Sequence, residues 1–164
     1  MSSSDRRSVL IALGALPLAA CGFTPAYAPG GPAAGLRGKI RADDPTSRDA
    51  FDFVGELEAR LGTPDGPRFT LGYSLSVGES GSALTPDGVT GRYNVTGSVN
   101  YTLRDAQTGA TVSTGKAQSF VSYGATGSTV ATLSAQADAH RRLMVILADE
   151  VVTRLLATSG SWNK

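Results

Sequence analysis

One thiol, Cys21, and one imidazole, His140, are the only side chains of their kind in the 164 residues. Their chemistry is narrow. A single Cys cannot close an internal disulfide or supply a Cys-based zinc site. A Ser-His-Asp triad would have to use His140, and no Gly-x-Ser-x-Gly elbow is present to carry a nucleophile. His140 falls on the apolar stripe of a helical pattern beside Arg141 and Arg142, the place of a structural histidine at a helix–sheet boundary. Thr114-Gly115-Lys116-Ala117 has the Gly-Lys pair of a phosphate loop but not its glycine spacing or the hydroxyl after Lys, and it lies in a strand pattern. Asp43-Asp44 and Asp149-Glu150 read as turn and solvent-face acids. Asn94-Val95-Thr96 and Asn100-Tyr101-Thr102 match glycosylation sequons as by-products of strand alternation. No catalytic constellation, metal site or cofactor site emerges, which predicts a protein that is not an enzyme.

Cys21 has a different chemistry. Arg6 and Arg7 precede an apolar run over 9–20 that ends Leu18-Ala19-Ala20-Cys21. The run is too short for a spanning helix, which needs about 20 residues, and has the length of a signal-peptide core. Its end resembles the bacterial lipobox. That resemblance implies cleavage after Ala20, a diacylglycerol on the Cys21 thiol and an acyl chain on the new N-terminus; more than one chain gives stable anchoring. The Arg6-Arg7 pair leaves both the general and the twin-arginine export routes open.

Loss of 1–20 removes Arg6, Arg7 and Asp5. The mature chain then carries 13 basic and 13 acidic side chains. Such a balance cannot hold a nucleic-acid backbone. Charged residues make up only 18% of the chain, while Gly numbers 20 and Ser plus Thr 33, a composition suited to strands with one small polar face.

The elements that would carry that face follow from periodicity. Residues 21–35, rich in Pro and Gly, read as a lipidated flexible tether. Residues 36–42 read as an edge strand with Arg37, Lys39 and Arg41 on its outer side. A helix is predicted over 47–61, with Ala50, Phe51, Val54, Leu57 and Leu61 at helical spacing. Phe69, Leu71, Tyr73, Leu75 and Val77 alternate with small polar residues, as do Tyr93, Val95, Val99, Tyr101 and Leu103. Between them 78–91 reads as a long Gly-rich connection. A hairpin turn over 105–109 leads to a strand over 110–123, with a bulge expected near Gly115-Lys116. Val130, Leu133, Ala137, His140, Met144, Leu147, Val151 and Leu155 mark a last helix over about 130–157, and 159–164 reads as a polar tail. The expected fold is α+β in the order β-α-β-β-β-α. It is one domain over 36–158, a two-layer sandwich with both helices on one face of a four-stranded, antiparallel-rich sheet.

Several segments together resemble the LptE family of lipopolysaccharide-assembly lipoproteins in its alphaproteobacterial form. They are Leu18-Ala19-Ala20-Cys21-Gly22-Phe23 with Pro25 and Tyr27, then Ser119-Phe120-Val121-Ser122-Tyr123, and the Ala-rich stretch from Thr129 to Leu143. The resemblance implies two helices on a four-stranded sheet and no enzymatic activity. It also implies outer-membrane sorting, with Gly22 compatible, and a role as plug and assembly partner of the β-barrel LptD, in contact with lipopolysaccharide. Binding lipopolysaccharide phosphates would need cations. Arg92, Arg104 and Lys116 are the central-sheet candidates, and Arg37, Lys39 and Arg41 the edge candidates. Contacts to barrel or substrate are expected from the 78–91 connection and the 105–109 turn. The alternative is an auxiliary lipoprotein of a lipid-trafficking ABC system.

Overall fold

The computed structural model describes residues 26–84, 90–125 and 128–164. The expected signal segment, Cys21 and the centre of the 78–91 connection lie outside them. The element order is β1 (Ile40–Ala42), α1 (Arg48–Leu61), β2 (Phe69–Leu84), β3 (Thr90–Asp105), β4 (Thr111–Gly124) and α2 (Thr129–Trp162). The strands form one sheet in the order β1-β2-β3-β4. β1 pairs parallel to β2 across the α1 crossover, and the other pairs are antiparallel. The sandwich is the expected one, and the details differ in instructive ways.

Helix α1 begins at Ser47, whose Oγ accepts the Ala50 N–H at 3.1 Å and replaces a bond the first turn lacks. It stops at Gly62, with φ 88°, whose N–H returns to the Glu58 carbonyl. Its inward stripe is Ala50, Phe53, Val54, Leu57 and Leu61. Phe51, expected on that stripe, is 68% exposed. Two residues apart means roughly 200° around a helix, so only one of the two phenylalanines can face the sheet. Phe53 does so because it shares a side with Ala50 and Leu57.

The edge strand expected over 36–42 is only Ile40–Ala42 long. Gly35 and Gly38 take positive φ, and the chain before Ile40 is a series of turns that bury Ala33 and Leu36. Thus residues 26–35 of the expected tether are folded. The other end of the chain clasps it. α2 runs to Trp162, where 159–164 was expected to be a tail. Ser159 is buried, Trp162 packs edge-on to Phe69 at 5.1 Å, and the Asn163 amide donates to the Pro32 and Ala34 carbonyls.

The 78–91 connection is mostly strand. Pairing continues from Gly78 opposite Thr96 to Leu84 opposite Thr90, with irregular steps after Gly81. Glycine and serine there bury no apolar side chain, so the hydrophobic signal vanished while the backbone ladder continued. The bulge is not at Gly115-Lys116. It lies where Leu103 faces Ser113 but Arg104 faces Thr111, passing over Val112. At Gly115 the ladder is regular, and the Tyr101 ring opposite occupies the space a Cβ would need.

Along α2 the expected stripe fails at its start. Val130 and Leu133 are exposed, and continuous burial begins at Ala139 and runs through Leu143, Met144, Leu147, Ala148, Val151, Val152 and Leu155. A helix of 34 residues spans about 51 Å, against about 21 Å for the 14 of α1. Its first turns therefore extend past the neighbour that would cover them. The helix lies close on the sheet at Gly97, where an added Cβ would stand 2.9 Å from Leu147 Cδ1 and 3.0 Å from Leu143 Cδ2.

The register separates the two turns suspected of partner contact. Asp105 faces Phe69 at the start of β2, and Thr90 faces Leu84 at its end, so the turns occupy opposite ends of the sheet. Asp105 closes its own turn, accepting from the Gln107 and Thr108 N–H groups at 3.0 and 2.9 Å and from the Thr108 hydroxyl. These bonds, that of the Thr108 N–H foremost, hold its carboxyl below the ordinary 3.8. A carboxyl depressed on folding adds stability that is present above its unfolded value and lost as pH falls through the folded one. Asp105→Ala should therefore melt slightly below wild type at neutral pH, and thermal melts should show the gap narrowing as pH falls below the ordinary carboxyl value of 3.8.

Candidate functional site

Strand alternation divides the sheet. Odd-numbered residues of β2 as far as Gly81, of β3 from Gly91 on, and of β4 from Ser113 on, face the helices. Even-numbered residues form the open face. That face carries Thr70, Gly72, Ser74 and Ser76 from β2, Asn94, Thr96, Ser98, Asn100 and Thr102 from β3, and Thr114, Gln118 and Ser122 from β4. Arg92, Arg104 and Lys116 all lie on it and all are exposed.

The structure spreads these cations out. Lys116 stands opposite Asn100, four residues from Arg104 on β3. Arg92 is twelve residues from Arg104, about 40 Å along the strand. Arg104 borders a shallow groove of about 550 Å³ together with Asp43, Thr70, Ser74, Asn100 and Thr102. A second trough lies further along the same face, between Ser76, Gly78, Thr96, Ser98 and Gln118. Among the described residues of β2, β3 and β4, none on this face is a carboxylate; Asp43, beside β1, is the acid at its rim. The polar side chains are hydroxyls and amides, whose lone pairs and N–H groups can meet a sugar or a backbone without burying an unpaired charge.

The edge candidates divide differently. Arg41 belongs to β1 opposite Thr70, on the open face, and pairs with Asp44 at 3.4 Å, an exposed contact of small energetic worth. Arg37 and Lys39 lie in the turns before β1, and Lys39 Nζ donates to the Asp65 main-chain oxygen at 2.8 Å. They join no basic strand face.

Phe120 was not among the candidates. It sits on the open face opposite Thr96 and is 65% exposed. The sequence Ser119-Phe120-Val121 places two apolar residues side by side, and only the register shows that Val121 faces inward and Phe120 outward.

A second polar group lies on the helix side, at the end of the sheet away from the 105–109 turn. Glu79 accepts from the Tyr123 hydroxyl and the Gln136 amide, both at 2.8 Å. His140 Nδ1 lies 3.0 Å from Asp49 of α1, and its Nε2 lies 3.9 Å from Glu79. Burial, then the hydrogen bond to Glu79, pushes the Tyr123 hydroxyl up to about 12, so it is a neutral donor at physiological pH. His140 thus links α2 to Asp49 of α1 and lies beside Glu79 of β2. Among the described residues no group of three His, Cys, Asp or Glu side chains could hold a metal. No helix among them is long and apolar enough to cross a membrane.

The comparisons with known proteins agree with this architecture. The family model described as LptE, lipopolysaccharide-assembly, matches residues 39–155. A protein from Caulobacter crescentus has a similar solved structure, with TM-score 0.65 and 21% identity over 79% of this chain and 96% of its own. The rare lipoprotein B from Shewanella oneidensis follows at 0.56 and 14%, over 77% and 98%. A minor lipoprotein from Acinetobacter baumannii gives 0.54 and 20%, over 74% and 93%. At these identities the likeness establishes the fold. No curated protein sequence matches the chain.

Proposed function

The chain belongs to the LptE lipopolysaccharide-assembly family, and from that membership we propose that it is an outer-membrane lipoprotein that binds and helps assemble the barrel LptD as its plug. Diacylglycerol and N-acyl chains on Cys21 would hold it on the periplasmic side, after cleavage behind Leu18-Ala19-Ala20. Its part in lipopolysaccharide transport is binding, without catalysis.

One observation supports the reading most: a long open sheet face of hydroxyls, amides and glycines on which every charge from β2, β3 and β4 is positive. Small uncharged side chains can lie against a barrel wall at little desolvation cost. Arg92, Arg104 and Lys116 can each meet a lipopolysaccharide phosphate by a charge-assisted hydrogen bond. Their spacing suits an extended ligand or several contacts better than one compact pocket.

Crosslinking followed by affinity purification tests the partner. Recovery of an outer-membrane barrel is expected, and recovery of an inner-membrane permease would favour the ABC-system alternative. Replacing Arg92, Arg104 and Lys116 together by alanine should weaken lipopolysaccharide binding by roughly tenfold or more while the barrel still co-purifies. Unchanged lipopolysaccharide binding would remove these three residues from the reading.

A further inference from the structure

We infer that the end of the domain nearest Cys21 is a membrane-facing surface that meets anionic phospholipid headgroups. The inference rests on the lipid at Cys21 proposed above and adds a second, protein-borne contact to it.

The first observation concerns reach. The chain is docked from Ala26 onward, by the Ala33 N–H to the Ala26 carbonyl at 2.9 Å and by the Asn163 amide on Pro32 and Ala34. Five residue steps separate Cys21 from Ala26, at most about 18 Å of extended chain. Acyl chains on Cys21 would therefore hold this end of the domain near the bilayer, and the β2–β3 end away from it.

The second observation is what this end presents. Tyr27 is 43% exposed. The neighbouring Arg37 charge acts on its hydroxyl, against the upward push of burial. Arg68 is exposed, and its guanidinium lies 5.0 Å from the Phe69 ring centroid. Trp162 is half-buried and meets the Phe69 ring edge-on at 5.1 Å, its indole N–H donating to Thr158 Oγ1 at 3.2 Å. Lys39 completes the set. Tyrosine and tryptophan flanked by Arg and Lys are the residues that settle at headgroup level, with rings in the interface and cations among the phosphates. The acids at this end include Asp65 and Asp105, and Arg68 also donates to the Lys164 main-chain oxygen at 2.8 Å while its charge acts on Asp105. The Asp105 carboxylate accepts from its own turn, and Lys39 Nζ donates to the Asp65 main-chain oxygen at 2.8 Å. A basic and aromatic collar placed within reach of the anchor has a physical use that the same residues scattered elsewhere would lack.

Trp162 is the only tryptophan, so its fluorescence reports this end alone. The acylated mature protein is placed on vesicles of phosphatidylcholine, with and without phosphatidylglycerol, each carrying brominated lipid as quencher. Stronger quenching is expected on the anionic vesicles, falling to the zwitterionic level at about 1 M salt, where the screening length is about 3 Å. The Arg37→Gln, Arg68→Gln double variant should lose most of the anionic excess, at about fivefold in face-down population per cation. The salt titration decides the matter even if the variant folds poorly. Equal quenching on both vesicles, or an excess that salt leaves intact, overturns the inference and points to a protein partner at this surface. Mass spectrometry of the same preparation separates the two readings: an unmodified Cys21 overturns the lipid anchor, whereas an acylated Cys21 without anionic excess overturns only the surface.

Discussion

Phe53→Ala is expected to destabilise the domain by about 3–5 kcal/mol, and Phe51→Ala by less than about 0.5 kcal/mol. Phe53 is fully buried, and its ring meets Tyr73 of β2 at 5.3 Å between centroids. Removing it leaves a cavity between α1 and the sheet that Ala50, Leu57 and Leu71 cannot close without moving. Only one short strand, β1, shares that side of the sheet with β2, so few neighbours are available to relax inward. Phe51 faces solvent and loses little on truncation. For a domain whose whole stability is about 5–15 kcal/mol, the first change should lower the melting temperature by on the order of 10 °C. Urea unfolding of the two variants side by side provides the check. Equal losses for both would mean that α1 is rotated from the position described.

Gly97→Val should cost about 1–3 kcal/mol through overpacking, although valine is the better strand former by propensity. The Gly97 backbone is held by pairing to Val77 on one side and Ser119 on the other. Above it stand Leu143 and Leu147, both fully buried. Neither the strand nor the helix can yield without disturbing a ladder or a packed layer, so the added methyl groups meet side chains that have nowhere to go. Gly78→Ala is the matched control. It lies on the open face, where a Cβ would rest 3.6 Å from Thr96 Oγ1 in ordinary contact. That change should be neutral, or stabilising by up to about 1 kcal/mol, because alanine surrenders less backbone entropy on folding. Both are read from thermal or denaturant unfolding of the purified variants. Wild-type stability for Gly97→Val would show that α2 approaches the sheet less closely than these distances imply.

The pair Phe51 and Phe53 also shows where reading the chain reaches its limit. Both suit an apolar helical stripe, and the choice between them depends on which side of α1 the sheet lies. The same holds for Phe120 and Val121, which differ by one step of strand parity. Gly115 shows the reverse error: an absent side chain looked like a broken phase, when the Tyr101 ring from the next strand filled the gap. Gly78, Glu79, Ser80 and Gly81 had no apolar alternation to find, because their part of β2 is held by backbone pairing to β3. Val130 and Leu133 continue the periodicity of α2 past the point where any neighbour covers it.

Local chemistry along the chain accounts for the features that neighbouring residues control. Ser47 caps α1, Gly62 ends it, and strict alternation over 69–77 and 93–103 makes two strands with one dry face. Too few helices for two faces then make the two-layer sandwich. The lone Cys21 behind its apolar run carries the expectation of a lipid, and the presence of Arg92, Arg104 and Lys116 in the strand patterns made them candidates. The tertiary structure decided what depends on residues far apart in the chain. It put those three cations on one face but up to about 40 Å apart, because strand register sets both parity and position. It also folded residues 26–35 of the expected tether against the end of α2, where Asn163 and Trp162 meet Pro32 and Phe69 from more than ninety residues away. Periodicity is a property of neighbours along the chain, and it carries no information about which distant surface will be there to meet it.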